Sequence, residues 1–413
     1  MPGLEVVEIC AGAGGQALGL EKAGFRHRLA VELDANASAT LRRNLSSGEV
    51  VTGDVADLAV WNPIEHLGVS LLAGGVPCPP FSIAGKQLGA NDERDLFAWS
   101  VELCDLIKPQ ALMLENVRGL SMPRFAGYRQ HVLDRLSHMG YVAEWRLLQA
   151  SDFGVPQLRP RFVLVALQNK YSPYFSWPEP VGAPPTVGDT LRDLMASGGW
   201  EGADAWARGA QQIAPTIVGG SKKHGGADLG PTRAKKAWAE LGVDAMGVAD
   251  APPGPGDKFK IGPKLTCEMV ARIQGWKAGE WEFEGRKTSR YRQIGNAFPP
   301  PVAEAVGRRI HEALRQVGER RDRTVDVEHD PIYLALRKIN DFMSHRQLER
   351  VLGRSLEVHE LERAISDLSR DFVIEINDDA NVMAYKLGPF KAFTGQEGHL
   401  RNEIFLKHKA RIS

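Results

Sequence analysis

Short apolar runs alternate with stretches of helical periodicity along the first 165 or so residues, the texture of an α/β sheet. Leu4 to Cys10 predicts a strand, and Gln16 to Ala23 a helix that Gly24 caps. Arg28 to Leu33 predicts the next strand. Val69 to Ala73 predicts another, entering the turn Gly74-Gly75-Val76-Pro77. From Leu96 a helix places Leu96, Trp99, Leu103 and Ile107 on one face and stops before Pro109. Ala111 to Leu114 and Arg161 to Leu167 read as further buried strands.

The pattern then changes. Residues 170–262 are punctuated by Gly and Pro, as in Pro252-Pro253-Gly254-Pro255, and predict a loop-rich binding region. Helical periodicity resumes at Thr266 to Ile273 and at Pro301 to Leu314, and the charged run Gly318 to Asp326 reads as a linker. The pattern divides the chain into an α/β part in two pieces (1–169 and 263–317), a loop-rich region between them (170–262), a linker (318–330) and a separate unit (331–413).

That last unit reads as three helices and a hairpin. Leu336, Ile339 and Met343 mark the first helix, and Ser344 with Gln347 forms a capping box opening the second, which Gly353 ends. Val358, Leu361, Ile365 and Leu368 stripe the third. Strands Phe372 to Ile376 and Val382 to Leu387 flank a turn at 377–381, a winged-helix-like pattern. The third helix carries Glu357, Glu360, Glu362 and Asp367 against Arg363 and Arg370, and an acidic face repels phosphate. A protein contact is therefore expected of this unit rather than DNA binding.

Composition narrows the class. The 413 residues hold 51 Lys+Arg and 51 Asp+Glu, so no global positive field exists and any nucleic-acid surface must be local. No apolar run is long enough for a membrane span and the N-terminus lacks a signal-peptide layout, so a cytoplasmic protein is expected. The four cysteines (10, 78, 104 and 267) have no paired or metal-type spacing, and no metal is expected.

Two constellations carry chemistry. Cys10-Ala11-Gly12-Ala13-Gly14-Gly15 between a strand and a helix is a nucleotide-binding turn. Glu32, about twenty residues on, is placed to accept ribose hydroxyls, and Asp54 to accept from an adenine amino group. This turn does not separate a nicotinamide dinucleotide from S-adenosylmethionine. The second constellation is Cys78 in a stiff loop (Pro77-Cys78-Pro79-Pro80) past a strand, Glu115-Asn116-Val117 leaving another, and Arg159 and Arg161 entering a third. A thiol, a carboxylate and two guanidiniums beside a nucleotide pocket suit nucleophilic attack on an electron-poor ring.

In this order the segments resemble the DNA (cytosine-5)-methyltransferase family from residue 4 to about 310. The carrying motifs are Pro77-Cys78, Glu115-Asn116-Val117, Gln157-x-Arg159-x-Arg161, Leu265-Thr266 through Arg272-Ile273-Gln274-Gly275-Trp276, and Tyr291-Arg292-Gln293-Ile294-Gly295-Asn296-Ala297. The resemblance implies a Rossmann-like methyltransferase fold acting on a specific double-stranded DNA sequence, in a restriction-modification or phage-defence setting, and nucleoid-associated when bound to DNA. Cys78 would be the nucleophile, Glu115 would hold or protonate ring nitrogen 3, and Arg161, with Arg159 nearby, would contact the base carbonyl or phosphate. The target cytosine would be flipped from the duplex.

S-adenosylmethionine would lie across Cys10, Ala11, Gly12, Gly14, Gly15, Glu32, Asp54, Val55, Pro77 and Leu96, with Asn296-Ala297-Phe298 closing the pocket. The loop from Pro79 to Asp95 would close over the base, with Ser82 or Lys86 on phosphate. By the same resemblance, residues 1–169 and 263–317 would form the catalytic domain and residues 170–262 the target-recognition region, with Lys222, Lys223 and His224, in a glycine-rich stretch, as its candidate DNA contacts. The chain departs from the family at Cys10, where Phe is usual, at Pro79-Pro80, where a Gln and another residue are common, and at Lys264 beside a retained Glu268. A tRNA cytosine methyltransferase, a silent DNA-binding regulator and a nicotinamide-dependent oxidoreductase are the rival readings. The intact Cys78, Glu115 and Arg161 argue against the regulator.

Overall fold

A computed structural model describes residues 3–77, 94–220, 226–321, 330–377 and 383–391. The chain begins β1 (Leu4–Ile9), α1 (Gly15–Lys22), β2 (Phe25–Glu32), α2 (Ala35–Asn44), β3 (Glu49–Thr52) and β4 (Leu71–Gly74). It continues with α3 (Arg94–Ile107), β5 (Ala111–Val117), α4 (Ala126–His138), β6 (Tyr141–Gln149) and β7 (Pro160–Gln168). These strands form one seven-stranded sheet in the order β3-β2-β1-β4-β5-β7-β6. β7 runs antiparallel to both its neighbours, and all other pairings are parallel. The fold is α/β and Rossmann-like. Its strand order reverses between β1 and β4, which opens a crevice beyond their carboxyl ends, where such sheets bind ligands.

The helix from Leu96 forms as expected, with Leu96, Trp99, Leu103 and Ile107 all buried. β5 runs three residues past the predicted end, so Glu115 and Asn116 lie within the strand rather than after it. Residues 170–262 differ more from expectation. They hold three helices, α5 (Val187–Ala196), α6 (Ala203–Gly209) and α7 (Thr232–Glu240), and no strand among the described residues. Val187, Leu191, Met195, Trp206 and Trp238 give this region an apolar core continuous with α8 (Cys267–Ile273) and α9 (Lys287–Asn296). The chain then returns to the sheet as α10 (Pro300–Leu314), packed against α1.

The last unit comprises α11 (Pro331–Ile339), β8 (Met343–Ser344), α12 (His345–Leu352), α13 (Val358–Asp371), β9 (Phe372–Asn377) and β10 (Ala384–Phe390). Its sheet order is β8-β10-β9, so the unit is winged-helix-like in element order. The Ser344–Gln347 capping box is present, and Gly353 ends α12 in the left-handed conformation. Two expectations fail here. α11 stops at Asn340, whose left-handed backbone (φ 52°) turns the chain, so Met343 reaches the core from a strand rather than a helix. Val358 is exposed, because the stripe of α13 begins only at Leu361.

The unit sits on α4. Leu368 lies against Gly127, where an added Cβ would be 2.3 Å from its Cδ2. His131 stacks on Phe390 (4.8 Å between centroids), meets Phe372 edge-on and pairs with the Tyr333 hydroxyl at 3.1 Å. Glu360, Asp367 and Asp371 of α13 line a cleft shared with Pro123 and Gly127, so one flank of the third helix faces the start of α4.

Candidate active site

Sheet register assembles the site. Ile9, Gly74 and Leu114 are aligned across β1, β4 and β5, so the next residues, Cys10, Gly75 and Glu115, emerge side by side. Val31 of β2 also pairs with Ile9, which brings Glu32 to the same edge. Beyond it lies a cavity of about 590 Å³. Its walls include Cys10, Ala11, Gly12, Gly15, Glu32, Asp54, Val55, Pro77, Leu96, Glu115, Asn296, Ala297 and Phe298. Residues from the first strands and from the segment near 290–298 thus converge on one cavity.

The glycine turn is held at several points. Glu32 accepts from the backbone N–H of Gly12 and of Asp34, one on each carboxylate oxygen, both at 2.7 Å. Burial pushes its carboxyl up from the ordinary value, against the pull of those two donors. Asp54 accepts from Ala56 N–H at 3.0 Å. Cys10 occupies the left-handed region (φ 49°), uncommon for a residue with a side chain. Gly14 is off the cavity wall. It has φ 89°, and a Cβ there would sit 2.2 Å from the Trp281 ring, whose Nε1 donates to the carbonyl of Ala13 at 2.8 Å. Trp281 therefore braces the turn from behind.

At the other end of the cavity, Arg161 Nε lies 2.6 Å from Glu115 Oε1, though the N–H is not aimed at that oxygen. The register pairs Val117 with Arg161, so Glu115 lies diagonally across the same face. Asn116 donates from Nδ2 to the carbonyl of Val76 at 3.2 Å, fixing the backbone two residues before Cys78. Burial disfavours every charge in this cluster. It raises the Glu115 carboxyl despite Arg161 and Arg159, and it lowers both guanidiniums, Arg159 the further. A carboxyl held toward its neutral form is suited to donating a proton.

Arg159 is placed differently from the grouping with Arg161 that its motif suggests. It is 1% exposed, and its terminal nitrogens donate to the carbonyls of Ile217 (2.7 Å), Gly295 (2.6 Å) and Ala297 (3.0 Å). Those donors are engaged by backbone, whereas Arg161 faces Glu115. Cys78, Ser82, Lys86, Lys222, Lys223 and His224 lie outside the described residues.

Other site residues were not read from the sequence. Ser289, Arg292 and Gln293 also line the cavity, and the buried Arg292 Nε has no partner among the described residues. Glu8 is fully buried on β1 and accepts from Gln16 Nε2 at 3.1 Å, with His27 Nε2 at 2.8 Å. The one signal for Glu8 is an acid in the middle of an apolar strand. Among the described residues no group of three or more His, Cys, Asp or Glu is arranged to hold a metal, and no helix is long and apolar enough to cross a membrane.

Residues 4–312 match the family described as C-5 cytosine-specific DNA methylase. The Type II methyltransferase M.NaeI of Lentzea aerocolonigenes is 79% identical over 413 residues, covering 100% of both chains. M.NgoMIV of Neisseria gonorrhoeae is 49% identical over 314 residues, which are 75% of this chain and 98% of that one. Among solved structures, a mutant of Spodoptera frugiperda DNMT2 superposes with a TM-score of 0.53 at 17% identity, covering 75% of this chain and 100% of that one, a likeness of fold. The chain belongs to the C-5 cytosine-specific DNA methylases.

Proposed function

We propose that this enzyme methylates carbon 5 of a cytosine flipped out of a specific double-stranded DNA sequence. In this reading it uses S-adenosylmethionine and a transient Cys78 adduct, and it is the modification partner of a Type II restriction system. The observation that carries the reading is the single cavity edge on which the glycine turn, Glu32 and the Glu115–Arg161 pair meet. The Type II relatives support the restriction-modification setting.

The residues present fit the cofactor. Glu32 keeps lone pairs for ribose hydroxyls after its two backbone bonds, and Asp54 stands beside it for the adenine. Arg292, with its unpartnered Nε, suits the methionine carboxylate. The cofactor, when bound, supplies a methyl group on a positively charged sulfur. The chain's own residues must make carbon 5 nucleophilic. The Cys78 thiolate adds to carbon 6, forming a C–S bond and pushing the displaced electron pair into the ring. Glu115 gives its proton to nitrogen 3 as that charge arrives, and Arg161 orients Glu115 and the base carbonyl. Carbon 5, now carrying that electron density, would take the methyl group, whose bond to the cofactor's sulfur breaks with the electron pair staying on sulfur. Loss of the carbon-5 proton then returns an electron pair to the ring, the bond to the Cys78 sulfur breaks, nitrogen 3 gives its proton back to Glu115, and aromaticity is restored.

We extend the proposal to the C-terminal unit, which would meet protein rather than DNA. Glu360, Asp367 and Asp371 of α13 face a cleft against the catalytic domain, and a relative matched over 98% of its length leaves about a quarter of this chain without counterpart.

The test is methyl transfer to duplex DNA and to tRNA, followed by bisulfite mapping of DNA from cells expressing the chain. The reading expects one modified cytosine context in DNA. Modification of tRNA alone, or of no DNA cytosine, would overturn it.

A further inference from the structure

The recognition region and the cofactor wall are joined by a buried polar weld. Gln157, wholly buried, accepts from Ile217 N–H at 3.0 Å and donates to Gln274, which in turn donates to the carbonyl of Ile294 at 3.0 Å. The Tyr291 hydroxyl donates to the carbonyl of Val218 (2.9 Å), and Asn296 Nδ2 to that of Gly220 (3.2 Å). At the centre Arg159 gathers carbonyls from both sides, Ile217 on one and Gly295 and Ala297 on the other. The two backbones touch: a Cβ on Gly295 would lie 2.6 Å from the Gly219 Cα. Segment 217–220 runs directly into the candidate DNA contacts at 222–224, and Asn296 and Ala297 form the cofactor wall.

A buried guanidinium is costly, and a core needing only volume would use an apolar residue. What the guanidinium offers is a rigid fork of five donors, able to hold carbonyls of separate segments in one plane. We propose that Arg159 is a positioning residue that locks the DNA-reading segment to the cofactor wall, so that filling one side orders the other. It does not touch the base. The proposal rests on the function given above.

The experiment uses the full chain and a duplex carrying the site mapped by bisulfite sequencing. S-adenosylhomocysteine and duplex affinities are measured by calorimetry, each with and without the other ligand, for wild type, Arg159→Lys and Arg161→Lys. Coupling between two sites typically spans about 5- to 150-fold and is reciprocal. Wild type should show mutual tightening. Arg159→Lys should lose most of it, by about tenfold or down to none, while Arg161→Lys keeps it and loses turnover.

Mutual tightening retained in Arg159→Lys overturns the proposal, whether or not turnover falls, and so does its absence in wild type. Should Arg159→Lys fail to fold, Tyr291→Phe removes one hydroxyl of the same weld without charge or cavity. A severalfold loss of coupling at unchanged melting temperature supports the proposal, and unchanged coupling overturns it. Failure of the functional reading would appear separately and earlier, as wild-type protein that binds S-adenosylhomocysteine yet leaves no modified DNA cytosine in the bisulfite map.

Discussion

Replacing Gly14 by Ala separates two forces on the cofactor turn. The backbone at Gly14 has φ 89°, where a side chain costs about 1–2 kcal/mol. The new Cβ would also stand 2.2 Å from Trp281 Cζ2. That ring cannot easily retreat, because its Nε1 is tied to the carbonyl of Ala13. Forcing a methyl into such a contact costs about 1–3 kcal/mol. The sum, about 2–5 kcal/mol, corresponds to a loss of cofactor affinity of about 30-fold to several thousandfold if it falls on the competent turn. In a Trp281→Leu background the clash goes and the backbone strain stays, so the penalty should shrink to about 1–2 kcal/mol. The assay is S-adenosylhomocysteine binding by calorimetry, with thermal unfolding, across the four proteins of the cycle. An equal penalty in both backgrounds would refute the idea that Trp281 braces the turn.

Two further outcomes follow from the geometry. Glu115→Gln keeps the shape and loses the transferable proton, so turnover should fall about 10²–10⁴-fold while S-adenosylhomocysteine affinity stays within about twofold; turnover within tenfold of wild type would count against Glu115 as proton donor. His131, enclosed by Phe372, Phe390 and Tyr333, has its imidazolium form pulled down to about 3, chiefly by burial. A depressed folded value means stability is present above about 6.5 and is lost as pH falls, so the C-terminal unit should loosen by about 2 kcal/mol between pH 7 and pH 5. Hydrogen exchange in α11 and α13 reads this directly, and His131→Phe should remove most of the pH dependence.

The elements with strong periodicity were legible in the sequence: β1, the glycine turn, α3 and the three helices of the C-terminal unit. Others were hidden by polar residues serving internal bonds. α4 buries Arg129, Gln130 and Arg135, the last in a bidentate pair with Glu102 on α3, so its face does not read as apolar. β6 forms one edge of the sheet, and its mixed pattern (Glu144, Arg146) conceals a strand. In residues 170–262 the frequent Gly and Pro outweighed three short helices gathered around Trp206 and Trp238. The candidate site was legible through its motifs, because Glu32 ends β2, Asp54 follows β3 and Glu115 lies in the last residues of β5, on the edge where topology places ligands. The separate placement of Arg159 and Arg161 was not. Two residues apart on one motif, they differ because distant carbonyls, invisible in local sequence, capture the first and a carboxylate meets the second.

The central claim is that Cys78 bonds to the cytosine ring while Glu115 protonates it. Duplex DNA with 5-fluorocytosine at the mapped site tests this most directly, since fluorine leaves no carbon-5 proton to lose and the C–S bond cannot break. Incubation with S-adenosylmethionine and mass spectrometry of the digested complex should show the methylated fluoro-base on the Cys78 peptide, with no adduct in Cys78→Ser. An adduct on another residue, or turnover by Cys78→Ser, would contradict the account.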